Sequence, residues 1–74
     1  MWEVVGFSFR DSGDRRYYNV YVQREDFSVT GIQCAVINYS ASYVPYVPCI
    51  GDKIFYSTRE HNGRTFVSEV SKVG

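Results

Sequence analysis

Leucine occurs nowhere in the 74 residues and alanine only twice, while seven Tyr, five Phe and one Trp stand among many Val and Ile. Without the two commonest helix formers, and with β-branched and aromatic residues in surplus, the chain has little from which to build a helix and much that suits a pleated surface. Residues 1–74 are therefore expected to form one small all-β domain. At this length a single core leaves little margin, so a closed barrel, a staple or a partner subunit is needed.

Turn signals divide the sequence into five strand-like stretches. In WEVVGFSFR (2–10), Val5, Phe7 and Phe9 alternate with Val4, Gly6 and Ser8, and Gly6 predicts a bend or bulge. DSGDR (11–15) reads as a turn. In RYYNVYVQR (16–24), Tyr18, Val20 and Val22 point one way and Tyr17, Asn19, Tyr21 and Gln23 the other, and the valines assign the first set to the core. REDFSVTG (24–31) is expected to turn the chain into IQCAVINY (32–39), whose apolar residues on both faces predict burial on both sides. IGD (50–52) then feeds KIFYSTR (53–59), and RTFVSEVSKV (64–73) closes the domain.

Between the last two strands, EHNGR (60–64) is a hairpin signal with two registers. A two-residue Asn62-Gly63 turn pairs Phe55 with Val70. A three-residue His61-Asn62-Gly63 loop pairs Ile54 with Val70 and Thr58 with Phe66, and gathers Ile54, Tyr56, Phe66 and Val70 on one side. The second register is preferred on that ground. Five antiparallel strands with a glycine bend and a closing hairpin predict a small barrel of the oligonucleotide-binding (OB) kind, with an SH3-like barrel as the alternative.

Eight basic and eight acidic residues cancel, so the whole chain exerts no long-range pull on phosphate or on an anionic membrane. The charges are unevenly spread, and none falls from Phe27 to Gly51. Ser28, Thr30, Gln33, Asn38, Ser40, Ser42, Pro45 and Pro48 interrupt that run, which excludes a transmembrane reading. Met1 leads straight into WEVVGFSFR with neither a basic start nor a long apolar core, favouring the cytoplasm over secretion. Cys34 and Cys49 then read as free thiols in apolar surroundings, a disulfide between them requiring an oxidising compartment. The single His61 sits in a turn, no Gly-rich phosphate loop is present, and neither cysteine has an adjacent histidine, so neither catalysis nor a metal or other cofactor is expected.

Two features point to binding instead. Tyr17 and Tyr21 flank Asn19 on the outward face of the second strand with Arg15 on the same side, and Phe55 lies between Lys53 and Ser57 with Arg59 beyond. Nucleobases stack on such rings while Arg and Lys follow phosphates. Tyrosines also cover β surfaces by packing across strands, and the residue pattern leaves both uses open. Arg10, Arg15, Arg16 and Arg24 have Asp11, Asp14, Glu25 and Asp26 beside them, the composition of a solvated mixed-charge surface.

The second feature is YVPYVP (43–48). In a polyproline-II conformation its threefold spacing places Tyr43 and Tyr46 along one edge, Val44 and Val47 along a second, and Pro45 and Pro48 along the third. Two missing N–H donors exclude a central strand. The stretch either lids the barrel with its two valines or meets another molecule, a second copy or a host protein, through Tyr43, Pro45, Tyr46 and Pro48.

In layout, GFSF (6–9), DSGDRRYYNVYV (11–22) and IGDKIFYSTREHNGRTFVSEV (50–70) resemble the small single-stranded-DNA-binding proteins of filamentous phages and related mobile elements. The chain also resembles small OB-like proteins of Gram-positive phages and conjugative elements, which share a Val-Gly-Asp-type start to the fourth strand. The resemblance implies a non-catalytic homodimer that binds single-stranded DNA or RNA, with Arg15, Arg16, Tyr17, Tyr21 and Phe55 as contacts, joined by Lys53 and Arg59 from the reading above. The competing expectation is a protein-binding module, a regulator or inhibitor of a host protein, that uses the uncharged Tyr/Pro edge. A third is a structural subunit whose aromatics serve self-assembly.

Overall fold

A computed structural model describes residues 1–26 and 31–73. It contains five strands, β1 (Trp2–Ser12), β2 (Arg15–Asp26), β3 (Gly31–Ser40), β4 (Lys53–His61) and β5 (Arg64–Lys72). All pairings are antiparallel, and the strands lie in one sheet in the order β3-β2-β1-β4-β5. Strands β4-β1-β2-β3 thus follow the Greek-key order, three strands in a meander and a fourth returning by a long connection to lie beside the first. The sheet curls so that β3 and β5 approach each other, but no ladder joins them.

Local chemistry sets the turns. Ser12 pairs with Arg15 across Gly13-Asp14, and the positive φ of Gly13 (64°) at the first central position is what a II′ hairpin turn needs. His61 pairs with Arg64 across Asn62-Gly63, both with positive φ (52° and 76°), the I′ geometry. The hairpin therefore has the two-residue turn, and the expected three-residue loop is corrected. A register shift between Ser57 and Thr58 then pairs Tyr56 with Val70 and Ile54 with Lys72. The bulge restores Ile54, Tyr56 and Val70 to the core side, while Val67 takes the inward place expected for the exposed Phe66.

A bulge also separates Val4 from Gly6 in β1, the bend that Gly6 predicted. It aligns Val4, Phe7 and Phe9 opposite Val22, Val20 and Tyr18. Val4, Tyr18, Val20, Val22, Ile37, Tyr39, Val44 and Ile54 form the buried core, with Trp2, Ala35, Tyr46, Tyr56, Val67 and Val70 packed against it. The Val-bearing face of β2 is inward, as its alternation requires. β3 departs from expectation. As an end strand of the sheet it buries only Ile37 and Tyr39, while Ile32, Cys34 and Val36 are exposed. Cys34 and Cys49 are free thiols, but both are exposed rather than packed in apolar surroundings. Of the turn expected over 24–31, residues 24–26 and 31 are strand, and 27–30 lie outside the described residues.

The seam between the meander and the β4–β5 hairpin is short. Trp2 pairs with Ile54 and Glu3 with Lys53, and the Val4 backbone exchanges hydrogen bonds with Gly51 and Asp52 at 2.9 Å each. Beyond it no ladder joins β1 to β4, which leaves Phe9 about half exposed (52%) although it faces the core side. The long dimension of the molecule, 43 Å, is about the length of a twelve-residue strand such as β2 at roughly 3.4 Å per residue.

Candidate nucleic-acid interface

The outer face of β1–β3 is built by strict alternation. Directly opposed residues share a face, so the pairs Ser8 with Asn19, Arg10 with Tyr17 and Ser12 with Arg15 place these six together on the side away from the core. β3 adds Ser40 opposite Tyr17, Asn38 opposite Asn19 and Val36 opposite Tyr21. Residues Arg10, Tyr17, Asn19, Asn38 and Ser40 line a shallow depression of about 430 Å³ whose floor includes Tyr18 and Tyr39. The Arg10 guanidinium carbon lies 5.4 Å from the Tyr17 ring centre, and Asn19 Nδ2 donates to Ser8 Oγ at 3.4 Å. Tyr21 is exposed, and a β-carbon at Gly6 would lie 3.6 Å from its Cδ2, so the ring leans over the glycine of the β1 bulge.

The same alternation sorts the charges. Asp11 and Arg16 are paired on the inner side, where Arg16 Nε donates to Asp11 Oδ1 at 2.7 Å and Nη2 to Oδ2 at 3.1 Å. The Arg16 guanidinium also stacks on Phe9, 4.1 Å from the ring centre. The hydrogen bond from Arg16 holds the Asp11 carboxyl below its ordinary range, and the same bond raises the guanidinium pKa. Arg10 and Arg15, one residue away on each strand, turn outward and make no ion pair among the described residues. At this hairpin tip Asp11 and Arg16 are paired on one face, while Arg10 and Arg15 lie on the other with Asp14 in the turn between the strands.

Of the residues singled out from the sequence, Arg15, Tyr17 and Tyr21 come together on this outer face. Arg16 is separated from them, on the opposite side of β2 and engaged by Asp11. Lys53, Phe55 and Arg59 lie on the outer side of β4, Phe55 being 55% exposed and Lys53 bound to Glu3 in an ion pair. They stand on the far side of the β1–β4 seam from Tyr17. Arg10, Asn38 and Ser40 were not marked from sequence as contacts. Counting back from the Gly13-Asp14 turn finds Arg10, but the β2–β3 register that brings Asn38 to Asn19 carries no comparable turn signature.

The connector between β3 and β4 does not follow threefold spacing. Val44, Tyr46 and Pro48 turn inward, whereas Tyr43, Pro45, Val47 and Cys49 face out, a period of two. Val44 is fully buried and Val47 is 68% exposed, so one valine, not two, covers the core. Tyr43 and Tyr46 consequently lie on different sides. Tyr46 O–H donates to Asp52 Oδ2 at 2.6 Å, and Tyr39 O–H donates to the Tyr46 carbonyl at 2.8 Å. Burial raises both phenol pKa values, with the neighbouring Asp52 adding to the effect at Tyr46 and Tyr46 adding to it at Tyr39. The connector ends in a turn closed by the Asp52 N–H donating to the Cys49 carbonyl at 3.1 Å, where Gly51 takes a φ of 95° that favours glycine.

No helix among the described residues is long and apolar enough to cross a membrane. No family model, curated protein or solved structure matches the chain.

Proposed function

We propose that this chain is a non-catalytic, cytoplasmic single-stranded nucleic-acid-binding protein of the OB kind, working through the outer face of β1–β3. One observation carries the reading: Arg10 and Arg15 stand beside Tyr17 and Tyr21 without an ion pair among the described residues, while the neighbouring Asp11 is turned to the other face. Cations to follow a phosphate backbone and rings on which bases stack are what sequence-tolerant single-strand binding requires, at about 1–3 kcal/mol per stacked base. The Greek-key order, the approach of β3 to β5, and the position of the site on strands 1–3 beside the β1–β2 turn favour the partly open OB barrel over the SH3-like alternative. Arg59 and Arg64 near the β4–β5 turn, across the β1–β4 seam, place further cations at a second loop of the kind such barrels use. The layout resemblance to phage and mobile-element proteins is part of the same reading.

Titration of a labelled oligo-dT at low and moderate salt tests it. Binding should weaken as salt rises, because each neutralised phosphate releases counterions, and should fall about tenfold or more in Tyr21→Ala. No binding at low salt contradicts it.

A second reading, docking of a protein or of a second copy, is favoured by the connector. Tyr43, Val47 and Ile50 are 77%, 68% and 67% exposed in a stretch without a single charge. The surface for it is Tyr43, Pro45 and Val47, since Tyr46 and Pro48 turn inward. Light scattering of wild type and Tyr43→Ala/Val47→Ser distinguishes self-association, which the pair of substitutions should abolish, from a monomer.

A further inference from the structure

Resting on the nucleic-acid reading, we infer that the depression on the outer face reads the identity of one base and prefers adenine, with Asn38 as the reader, Asn19 as its support and Tyr17 as the stacking surface.

The β2–β3 register sets Asn19 and Asn38 directly opposite each other, flanked by the pair Tyr17 and Ser40 on one side and Tyr21 and Val36 on the other. Asn19 is thus set between two aromatic rings of β2, and Asn38 stands beside it on β3 between Ser40 and Val36. Their situations differ. Asn19 is half-buried, lines the depression, and donates from Nδ2 to Ser8 Oγ at 3.4 Å, which restrains its amide. Asn38 is exposed, and its amide makes no hydrogen bond among the described residues, so both its donor and its acceptor are open to a ligand. Asn and Asp are depleted in strands because they compete with the backbone ladder. Two of them in register within the ladder, one with its amide unengaged among the described residues, are unfavourable for the sheet and suited to a ligand.

A carboxamide presents one donor beside one acceptor. Adenine offers the complementary donor and acceptor on two edges, N6–H with N1 and N6–H with N7, and the Asn-to-adenine pair is a recurring bidentate contact. Guanine offers two acceptors, O6 and N7, on its Hoogsteen edge and so matches an amide only on its Watson–Crick edge, through N1–H and O6, and of these two edges cytosine and thymine also match on one only. In a single strand both edges of adenine are accessible, because the base is splayed from any partner. A purine also covers more of the Tyr17 ring than a pyrimidine. Arg10, 5.4 Å from that ring, supplies a cation beside the stacking surface for a phosphate to follow.

The test compares short oligo-dA, oligo-dC and oligo-dT of equal length against wild type, Asn38→Ala and Asn38→Thr, the last keeping strand propensity should alanine loosen the edge strand. Because dA strands stack on themselves, the decisive quantity is the change in the dA-to-dT affinity ratio between proteins. In both variants that ratio should drop about tenfold, because dA loses more affinity than dT when the amide is removed. Circular dichroism should show the same sheet content in all three proteins. Binding of all strands with a ratio that does not move in either variant overturns the adenine assignment and leaves the broader reading standing. Failure of every strand to bind overturns both.

Discussion

The two faces of β2 carry nearly the same residue types and do opposite things. Inward lie Arg16, Tyr18, Val20 and Val22; outward lie Arg15, Tyr17, Asn19 and Tyr21. On the inner face the arginine is bonded to Asp11 and laid over Phe9, and Tyr18 packs 5.6 Å from Tyr39. On the outer face Arg15 makes no ion pair among the described residues, and Tyr21 is exposed. The difference shows that a balanced net charge says little about binding in a β protein. A period of two turns Asp11 to the inner face beside Arg16 and leaves Arg10 and Arg15 on the outer face at the same end of the sheet, with Glu3 and Glu25 at its other end.

Breaking the inner face should have the largest effect. Val20→Ala or Ile54→Ala removes part of a fully buried side chain among the eight buried hydrophobic residues of the described part, and urea unfolding should register a loss of about 1.5–4 kcal/mol, a large share of the stability of so small a domain. The outer-face counterpart, Tyr17→Ala/Tyr21→Ala, should change the unfolding midpoint little yet weaken oligo-dT binding by one to two orders of magnitude, read by anisotropy.

A smaller effect is expected where the connector is tied to the core. Tyr46→Phe deletes the 2.6 Å bond to Asp52 and should cost about 1–2 kcal/mol. The pH dependence carries the same signature. Tyr39 and Tyr46 have phenol pKa values raised in the folded state, so the stability they provide is fully present below the ordinary tyrosine value near 10 and is lost as pH rises beyond it, when the unfolded chain releases protons that the fold retains. Unfolding followed from pH 8 to 11 should show an alkaline decline, which Tyr46→Phe makes shallower. The smallest effect belongs to Asp11. Its lowered pKa gives stability that is present above the unfolded carboxyl value and fades as pH falls through the folded one, but the pair is exposed, so Asp11→Asn should flatten the acid limb only slightly.

Much of this contrast was legible in the sequence, because alternation is a strong signal when valines mark one face. Tyr18, Val20 and Val22 identify the core, Tyr17 and Tyr21 the outer surface, and Gly6 the bulge. The same alternation, followed one step further, carries Arg16 inward, although its adjacency to Arg15 in the sequence invites grouping the two. The β4–β5 register was not legible. Asn62-Gly63 sets the turn, but the register shift that pairs Ser57 with Glu69 and Thr58 with Val67 leaves Ser68 of β5 as the extra residue and brings Tyr56 and Val70 to the core, and nothing local in VSE (67–69) announces it. YVPYVP misled for a related reason. Threefold spacing is a property of an isolated polyproline helix, whereas burial of Val44 and the Tyr39–Tyr46–Asp52 hydrogen bonds impose an extended, two-sided path. Asn38 stayed hidden because its site is assembled by a long-range register.

The most direct test of the central claim uses two adjacent residues whose substitution changes net charge equally. Oligo-dT affinity and its salt dependence should be measured for Arg15→Gln and Arg16→Gln. If the outer face binds the strand, Arg15→Gln lowers affinity several-fold and reduces the salt slope by about one phosphate contact, while Arg16→Gln leaves both near wild type. Equal effects from the two substitutions, or a loss confined to Arg16→Gln, would contradict the assignment of binding to the outer face of β1–β3.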